Sequence, residues 1–403
     1  MTITRTNFTR RRHSIVRRVR MQNRRSVYNL PMRIGIDCRL PAYRMGGISQ
    51  YIIRLLNGLA DLDRENDYFV FHSFRDDETR IPTNCPNFRR ITAYTPPHHR
   101  LERWAFGLEC LPYRLDVLHS PDFIPPAIGA RKKVITIHDL TFHFFPQYQT
   151  SEARRYYQDQ IARAVREADH ILADSENTRQ DVIRLMGASP GRITTAHLAA
   201  NPLYARSVLP EVVDQMLAAY GLERGYILHV GTLEPRKNIP TLLHALKGLE
   251  AAGVAPVQLV LVGATGWLYQ EIFQLVEGLG LENRVRHLEG VPDEKLHHLY
   301  HGASLLAQPS FYEGFGLPPL EAMLCGCPVV SSNGGSLSEI VGHGGILLEP
   351  DNVEAWQGAI FNLLTDAHLR QRLVEAGKRQ AKKFGWRQMV ETTLDVYRKV
   401  GLQ

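Results

Sequence analysis

Ser304-Leu305-Leu306-Ala307-Gln308-Pro309-Ser310-Phe311-Tyr312-Glu313-Gly314-Phe315-Gly316-Leu317-Pro318-Pro319-Leu320-Glu321 reads as a strand, a loop and a helix start in immediate succession. The run Ser304–Ala307 is short and apolar, as a parallel strand covered on both faces requires. Gly314 and Gly316 allow the backbone to approach a ligand closely. Pro318 and Pro319 suit the first turn of a helix, where a missing N–H costs nothing. The N–H groups from Gly314 to Leu317 are then left at a helix N-terminus, a ready anion site. Two carboxylates flank them. Glu321 alone could merely favour the helix dipole, and Glu313 alone could be a solvated loop charge. With two glycines and two prolines at this spacing, the pair suits a grip on vicinal hydroxyls, a sugar at one end and a ribose at the other.

The same rhythm extends in both directions. Downstream and upstream of this segment, Tyr226–Val230, Val257–Val262, Val285–Leu288, Val329–Ser331 and Ile346–Leu348 are strand-like, with helices such as Pro240–Leu249 and Trp267–Leu279 between them. Nearer the start, Arg33–Arg39, Tyr68–His72, Val117–His119, Val134–His138 and Ile171–Ala173 repeat the pattern. Ile48–Leu62 is an amphipathic helix, and Asp174-Ser175 caps a helix running to Met186. Alternation of this kind predicts βαβ units in an α/β fold, two doubly wound Rossmann-like domains. The rhythm loosens over His197–Glu223, so the expected division is 32–205 and 206–385, with a last helix over 386–403. A chain of 403 residues fits two cores better than one.

Ligands of doubly wound sheets bind at the carboxyl ends of strands, which directs attention to the loops. Gly231-Thr232-Leu233-Glu234-Pro235-Arg236-Lys237-Asn238 follows the strand Tyr226–Val230. Asn238 is expected to cap the next helix. Arg236 and Lys237 then sit where the macrodipole disfavours cations, and a diphosphate would compensate them. Two exposed cations on a polar loop are the plainer alternative. Gly46-Gly47 joins the first strand to its helix, a weak signal by itself. His138-Asp139 ends another strand, and the histidine is as easily structural as functional.

Composition narrows the function. Residues 1–31 contain nine Arg and no acidic residue. Setting them aside leaves 39 basic residues against 41 acidic ones, so the folded body is close to neutral and no nucleic-acid partner is indicated. The basic extension, expected outside the fold, could contact anionic lipid, resemble a transit peptide, or be sequence upstream of a natural start at Met32. No apolar run is long enough to span a bilayer. Five scattered cysteines suit a reducing, cytoplasmic location. No metal site is expected. Cys325-Gly-Cys327 lacks a second ligand pair, Asp61-Leu62-Asp63 falls at a helix end, and His297 with His301, although four apart, lacks an acidic third ligand and reads as a surface face. No Walker motif, GxGxxG or GxSxG is present.

The run from Glu313 to Glu321 resembles the E-x7-E signature of retaining GT-B glycosyltransferases, specifically glycosyltransferase family four, the group one transferases. Val230–Asn238, Ser175-Glu176-Asn177-Thr178 and Leu261-Val262-Gly263 are similar to the same family. The resemblance spans roughly residues 32–400 and implies a GT-B fold, two Rossmann-like domains facing each other across a cleft. It implies that Arg236 and Lys237 neutralise the donor diphosphate, with Gly231 in their loop. Glu313 holds the donor sugar beside the backbone of Gly314, Phe315, Gly316 and Leu317. Glu321 holds the ribose, Gly47 lies under the phosphates, and His138 touches the sugar. Many members carry Arg where this chain has Thr232, so Arg236 is expected to supply that charge. The implied activity is metal-independent, retaining transfer of a hexose without a cofactor. The best-matching donor is GDP-mannose or otherwise a UDP-sugar, and the acceptor a glycan or lipid-linked glycan of surface polysaccharide synthesis, with peripheral membrane association. A sugar-nucleotide epimerase and a noncatalytic nucleotide-sugar binding protein are the alternatives.

Overall fold

The computed structural model describes residues 31–43, 46–148, 151–251 and 256–402. The expectation for the basic extension therefore falls outside the described residues, apart from Pro31.

Two wholly parallel sheets organise the chain. The first runs β3-β2-β1-β4-β5-β6-β7, built from β1 (Arg33–Cys38), β2 (Asp67–Ser73), β3 (Phe88–Ala93), β4 (Leu115–Ser120), β5 (Ala130–Ile137), β6 (His170–Ala173) and β7 (Ile193–Thr195). The second runs β10-β9-β8-β11-β12-β13, from β8 (Ile227–Val230), β9 (Leu259–Val262), β10 (Val285–Leu288), β11 (Leu305–Gln308), β12 (Val329–Ser332) and β13 (Ile346–Leu348). In each sheet the strand order reverses beside its first strand, between β1 and β4 and between β8 and β11. This is the doubly wound order, and the reversal opens a crevice at the carboxyl ends. The central strands are apolar throughout because helices cover both faces. Leu259–Val262 and Leu305–Gln308 are buried at every position.

Two strands are absent from the sequence reading. In β3 the exposed Arg89 and Arg90 interrupt the apolar pattern, as suits an edge strand protected by charge. β7 is only three residues long. The expected cap at Asn238 takes another form. Asn238 is left-handed (φ 54°) and closes the short 3-10 turn Pro235–Lys237. Its side-chain amide donates to Pro309 O and Pro350 O, at 3.2 and 2.6 Å, so it ties three loops together.

The helix Trp386–Gly401 buries Met389, Val390, Leu394, Val396, Tyr397 and Val400. It packs on the helix Gly47–Leu62 and against β4, β5 and β6, and Tyr397 Oη lies 2.6 Å from His119 Nδ1. The chain thus returns to the first sheet after completing the second. The two crossings meet where Trp386 Nε1 donates to Ala200 O at 2.8 Å.

Candidate functional site

The reversal point of the second sheet places the loops after β8 and β11 side by side. The β8 loop brings Arg236 and Lys237 to Glu313 from the β11 loop. Lys237 Nζ donates to Glu313 Oε1 at 2.6 Å, and Arg236 Nη1 donates to Oε2 at 2.9 Å. Ser310 Oγ and Gln308 Nε2 also donate to Oε1, at 2.6 and 3.0 Å. Burial opposes a charge on Glu313, yet Lys237 and Arg236 outweigh it and hold the carboxyl well below the usual carboxylate range. Arg236 additionally pairs with Glu234 at 2.7 Å and donates to Tyr312 O at 2.6 Å. The two cations and the carboxylate, read separately from the sequence, therefore form one buried cluster.

Backbone shape makes that cluster possible. Gly231 has φ +154°, and the Lys237 stem lies so close that a Cβ there would meet its Cε at 3.2 Å. The helix Leu317–Cys325 begins after Gly316 (φ 107°) and carries Pro318 and Pro319 in its first turn. Among the described residues, the N–H groups of Gly314, Phe315, Gly316 and Leu317 meet no acceptor. They remain a donor set at a helix N-terminus beside the two cations.

The first domain closes over this loop. Ser175 Oγ donates to Gly314 O at 2.8 Å, and Tyr312 Oη donates to Asp181 at 2.9 Å. A Cβ on Gly314 would lie 2.5 Å from both His138 O and Asp139 Cβ. Glu339, from the second domain, accepts from the N–H groups of Glu176 and Asn177 at the start of the helix Glu176–Met186 and also pairs with His197. It acts as a cap supplied across the cleft. Sequence reasoning missed Asp181, Glu339 and Tyr312 because each partner lies more than a hundred residues away. A cavity of about 190 Å³ beside the cluster is lined by Asp139, Thr141, Phe145, Glu234, Pro235, Arg236 and Trp267.

The other expected residues are placed less centrally. His138 Nδ1 lies 2.6 Å from Asp174 and Nε2 lies 2.8 Å from Pro121 O. Burial lowers its affinity for a proton, but Asp174 outweighs burial and raises its pKa to about 9. The ring is thus an imidazolium with both N–H groups engaged, and its backbone carbonyl lies against Gly314. Glu321 sits at the interdomain seam, accepting from Tyr300 Oη at 2.9 Å. Burial pushes its pKa to about 7, with Arg54 of the first domain partly opposing the shift. Gly47 opens the helix Gly47–Leu62 and is exposed, with open space around it.

The expected decoys resolve differently. Asp63 accepts from Tyr68 Oη and Asn66 Nδ2, both at 2.6 Å, and is a structural helix end. The pair His297 and His301 is not a surface face: His297 is only 2% exposed, and the third neighbour is Cys325. A larger concavity, about 1010 Å³, lies at the amino ends of the strands of the second sheet. Its arginines are engaged, Arg224 with Asp214 and Arg284 with Val257 O.

Residues 45–202 match Glycosyltransferase Family 4, and residues 219–380 match Glycosyl transferases group 1. The chain is 35% identical to the O-antigen chain mannosyltransferase B of Escherichia coli, over 88% of this chain and 97% of that one. It is 32% identical to the serotype-specific mannosyltransferase WbdA of Escherichia coli over 58% of this chain, a region covering 29% of that larger protein. The crystal structure of Anabaena HepE in complex with UDP-glucose superposes with a TM-score of 0.70 at 21% identity, covering 91% of this chain and all (100%) of that one.

Proposed function

The chain belongs to the group 1, family 4 glycosyltransferases, and from that premise we propose that it transfers mannose from GDP-mannose to a lipid-linked glycan, with retention at the anomeric carbon. The observation that carries the reading is the convergence of Arg236, Lys237 and the free N–H groups of Gly314 to Leu317 around Glu313, at the carboxyl ends of β8 and β11. The mannosyl donor rests on the names of the E. coli relatives.

The bond from the anomeric carbon to the diphosphate oxygen breaks while an acceptor hydroxyl bonds to that carbon. The acceptor proton passes to the departing phosphate oxygen. Negative charge grows on the diphosphate, and the helix N-terminus stabilises it together with Arg236 and Lys237, which the bound donor has drawn from Glu313 before the bond breaks. Ser310 and Gln308 keep Oε1 engaged even when the cations turn to the diphosphate, so Glu313 suits a grip on sugar hydroxyls better than nucleophilic attack. Attack from the face of the leaving group follows, and no metal is needed in the cleft. Glu321 would take the ribose, and Gly47 would approach the phosphates.

A membrane-borne acceptor is supported by one surface feature. Leu101, Trp104, Leu108 and Leu111, on and beside the helix Glu102–Cys110, are exposed at spacings of three and four, Leu101 and Trp104 by 62% and 60%. No helix among the described residues is long and apolar enough to cross a membrane, so association would be peripheral.

The test has two arms. Thermal shift with GDP, UDP, their mannose and glucose conjugates, and NAD, all with EDTA present, should show stabilisation by the correct nucleotide alone. At 100 times its dissociation constant a ligand adds roughly 2.7 kcal/mol. Radiolabelled GDP-mannose should then label a lipid extract, and NMR of the product should show the donor's α configuration. Absence of any nucleotide shift overturns the donor site, whereas inversion of the sugar nucleotide without acceptor would identify an epimerase.

A further inference from the structure

We propose that His297, His301 and Cys325, together with the backbone carbonyl of Arg206, bind one Zn²⁺ that pins the interdomain connection to the helices of the second domain. The residues come from three places that only the fold unites. His297 and His301 are one turn apart on the helix Asp293–Gly302, and Cys325 ends the helix Leu317–Cys325. Arg206 follows the short 3-10 turn Pro202–Ala205 in the connection.

Their donor atoms already approach metal-site spacing. His297 Nε2 is 3.1 Å from His301 Nε2 and 3.1 Å from Arg206 O. The three side-chain donor atoms lie within 4.8 Å of one another. Tetrahedral zinc, with bonds of roughly 2.0–2.3 Å, places nitrogen donors about 3.3 Å apart and a nitrogen about 3.6 Å from a thiolate. The nitrogen and oxygen donors thus stand nearly in place, and the sulfur needs a shift on the order of 1 Å. Among the described residues, Cys325 Sγ donates to Tyr204 O at 3.4 Å, a bond that a metal would replace.

His297 Nε2 faces an imidazole nitrogen and a carbonyl oxygen at once, and the tautomers of His297 and His301 decide which nitrogen donates. A cation at the centre satisfies every donor, and an imidazole–thiolate set favours zinc. On binding, the Cys325 thiol proton is released to solvent.

The site lies about 12 Å along its helix from the Leu317 loop, at roughly 1.5 Å per residue. It is therefore structural and takes no part in transfer. The chain bound at Arg206 is the connection from the first domain, so the ion would fix where the second domain begins.

The experiment is cobalt and zinc titration of the full chain after treatment with chelator. Wild type should bind one Co²⁺ with a thiolate-to-cobalt charge-transfer band and visible bands of tetrahedral intensity, all displaced by one Zn²⁺. Cys325→Ser should lose the charge-transfer band. His301→Gln should lose more than the roughly 10–100-fold in zinc affinity typical of second-shell changes. Circular dichroism confirms that each variant is folded, and His297→Gln replaces His301→Gln if the latter is not. The proposal is overturned if wild type binds no Co²⁺ at micromolar concentration, or if its band and affinity survive in Cys325→Ser. Metal content is read independently of transfer, so the outcome leaves the proposed activity untouched.

Discussion

Replacing Lys237 with Met keeps the length of the stem over Gly231 and removes only the charge. The structure sets two magnitudes. In the reaction, Lys237 is a preorganised donor beside the departing diphosphate; loss of such a donor costs about 2.7–4 kcal/mol, or roughly 10²–10³ in rate. In the fold, Lys237 is one of four donors on Glu313, and Arg236, Ser310 and Gln308 remain. Breaking an isolated buried pair costs roughly 3–5 kcal/mol. With three donors left, the expectation falls to about 1–3 kcal/mol, the cost of one unsatisfied buried contact. At about 2–4 °C per kcal/mol for a domain of this size, Tm should drop by several degrees but leave the protein folded at 25 °C. The assay is transfer of radiolabelled mannose, with donor saturating, alongside calorimetry. A variant whose kcat stays within a few-fold of wild type while Tm falls as predicted would refute the catalytic role and make Lys237 a structural counter-ion.

Gly314→Ala should keep the second domain intact but hold the cleft open, because the new Cβ would strike His138 O and Asp139; small-angle scattering should show a larger radius of gyration and KM for the donor should rise. His138 contributes stability that is fully present below its unfolded pKa of about 6.5 and is lost as pH rises through about 9, so chemical denaturation of wild type and His138→Gln should converge between pH 7 and 10. Glu321 shows linkage of the same sign although its neutral form is the favoured one: its folded value, about 7, lies above its unfolded one, so wild type should lose stability relative to Glu321→Gln as pH rises from 5 to 8. Equal pH profiles for either pair of proteins would remove the assigned shift.

Legibility in the sequence tracked the distance over which each feature is encoded. The alternation of apolar runs is local, so the two parallel sheets could be read directly, and Gly316 with Pro318 announced the helix start that the structure contains. The charged edge strand Phe88–Ala93 was hidden because Arg89 and Arg90 face solvent. Asn238 was misread because a capping residue and a left-handed turn residue have the same composition; the choice was made by Pro309 and Pro350, which no local reading includes. The cluster of Arg236, Lys237 and Glu313 was legible as chemistry but not as geometry, since nothing in the chain states that the β8 and β11 loops touch. His297 was misread as part of a surface face for a related reason: Arg206 and Cys325, which lie beside it, arrive from other elements.

The closed cluster also constrains how a donor can bind. Arg236 and Lys237 carry two positive charges, and Glu313 with Glu234 carries two negative ones within hydrogen-bond reach. To an approaching diphosphate the cluster is nearly neutral, and the uncompensated attraction comes from the N–H groups of Gly314 to Leu317. The anion must therefore seat first on the helix N-terminus and then draw the cations away from the carboxylate. Once they turn, Glu313 is left with Ser310 and Gln308 and gains acceptor capacity for sugar hydroxyls. Phosphate recognition and sugar recognition are thus coupled through one carboxylate. A nucleotide diphosphate alone would strip Glu313 of its counter-ions without supplying hydroxyls, whereas the intact nucleotide sugar replaces both. The sugar conjugate should accordingly stabilise the protein more than the bare diphosphate at equal saturation, and Glu313→Gln, which removes the charge being exchanged, should narrow that difference.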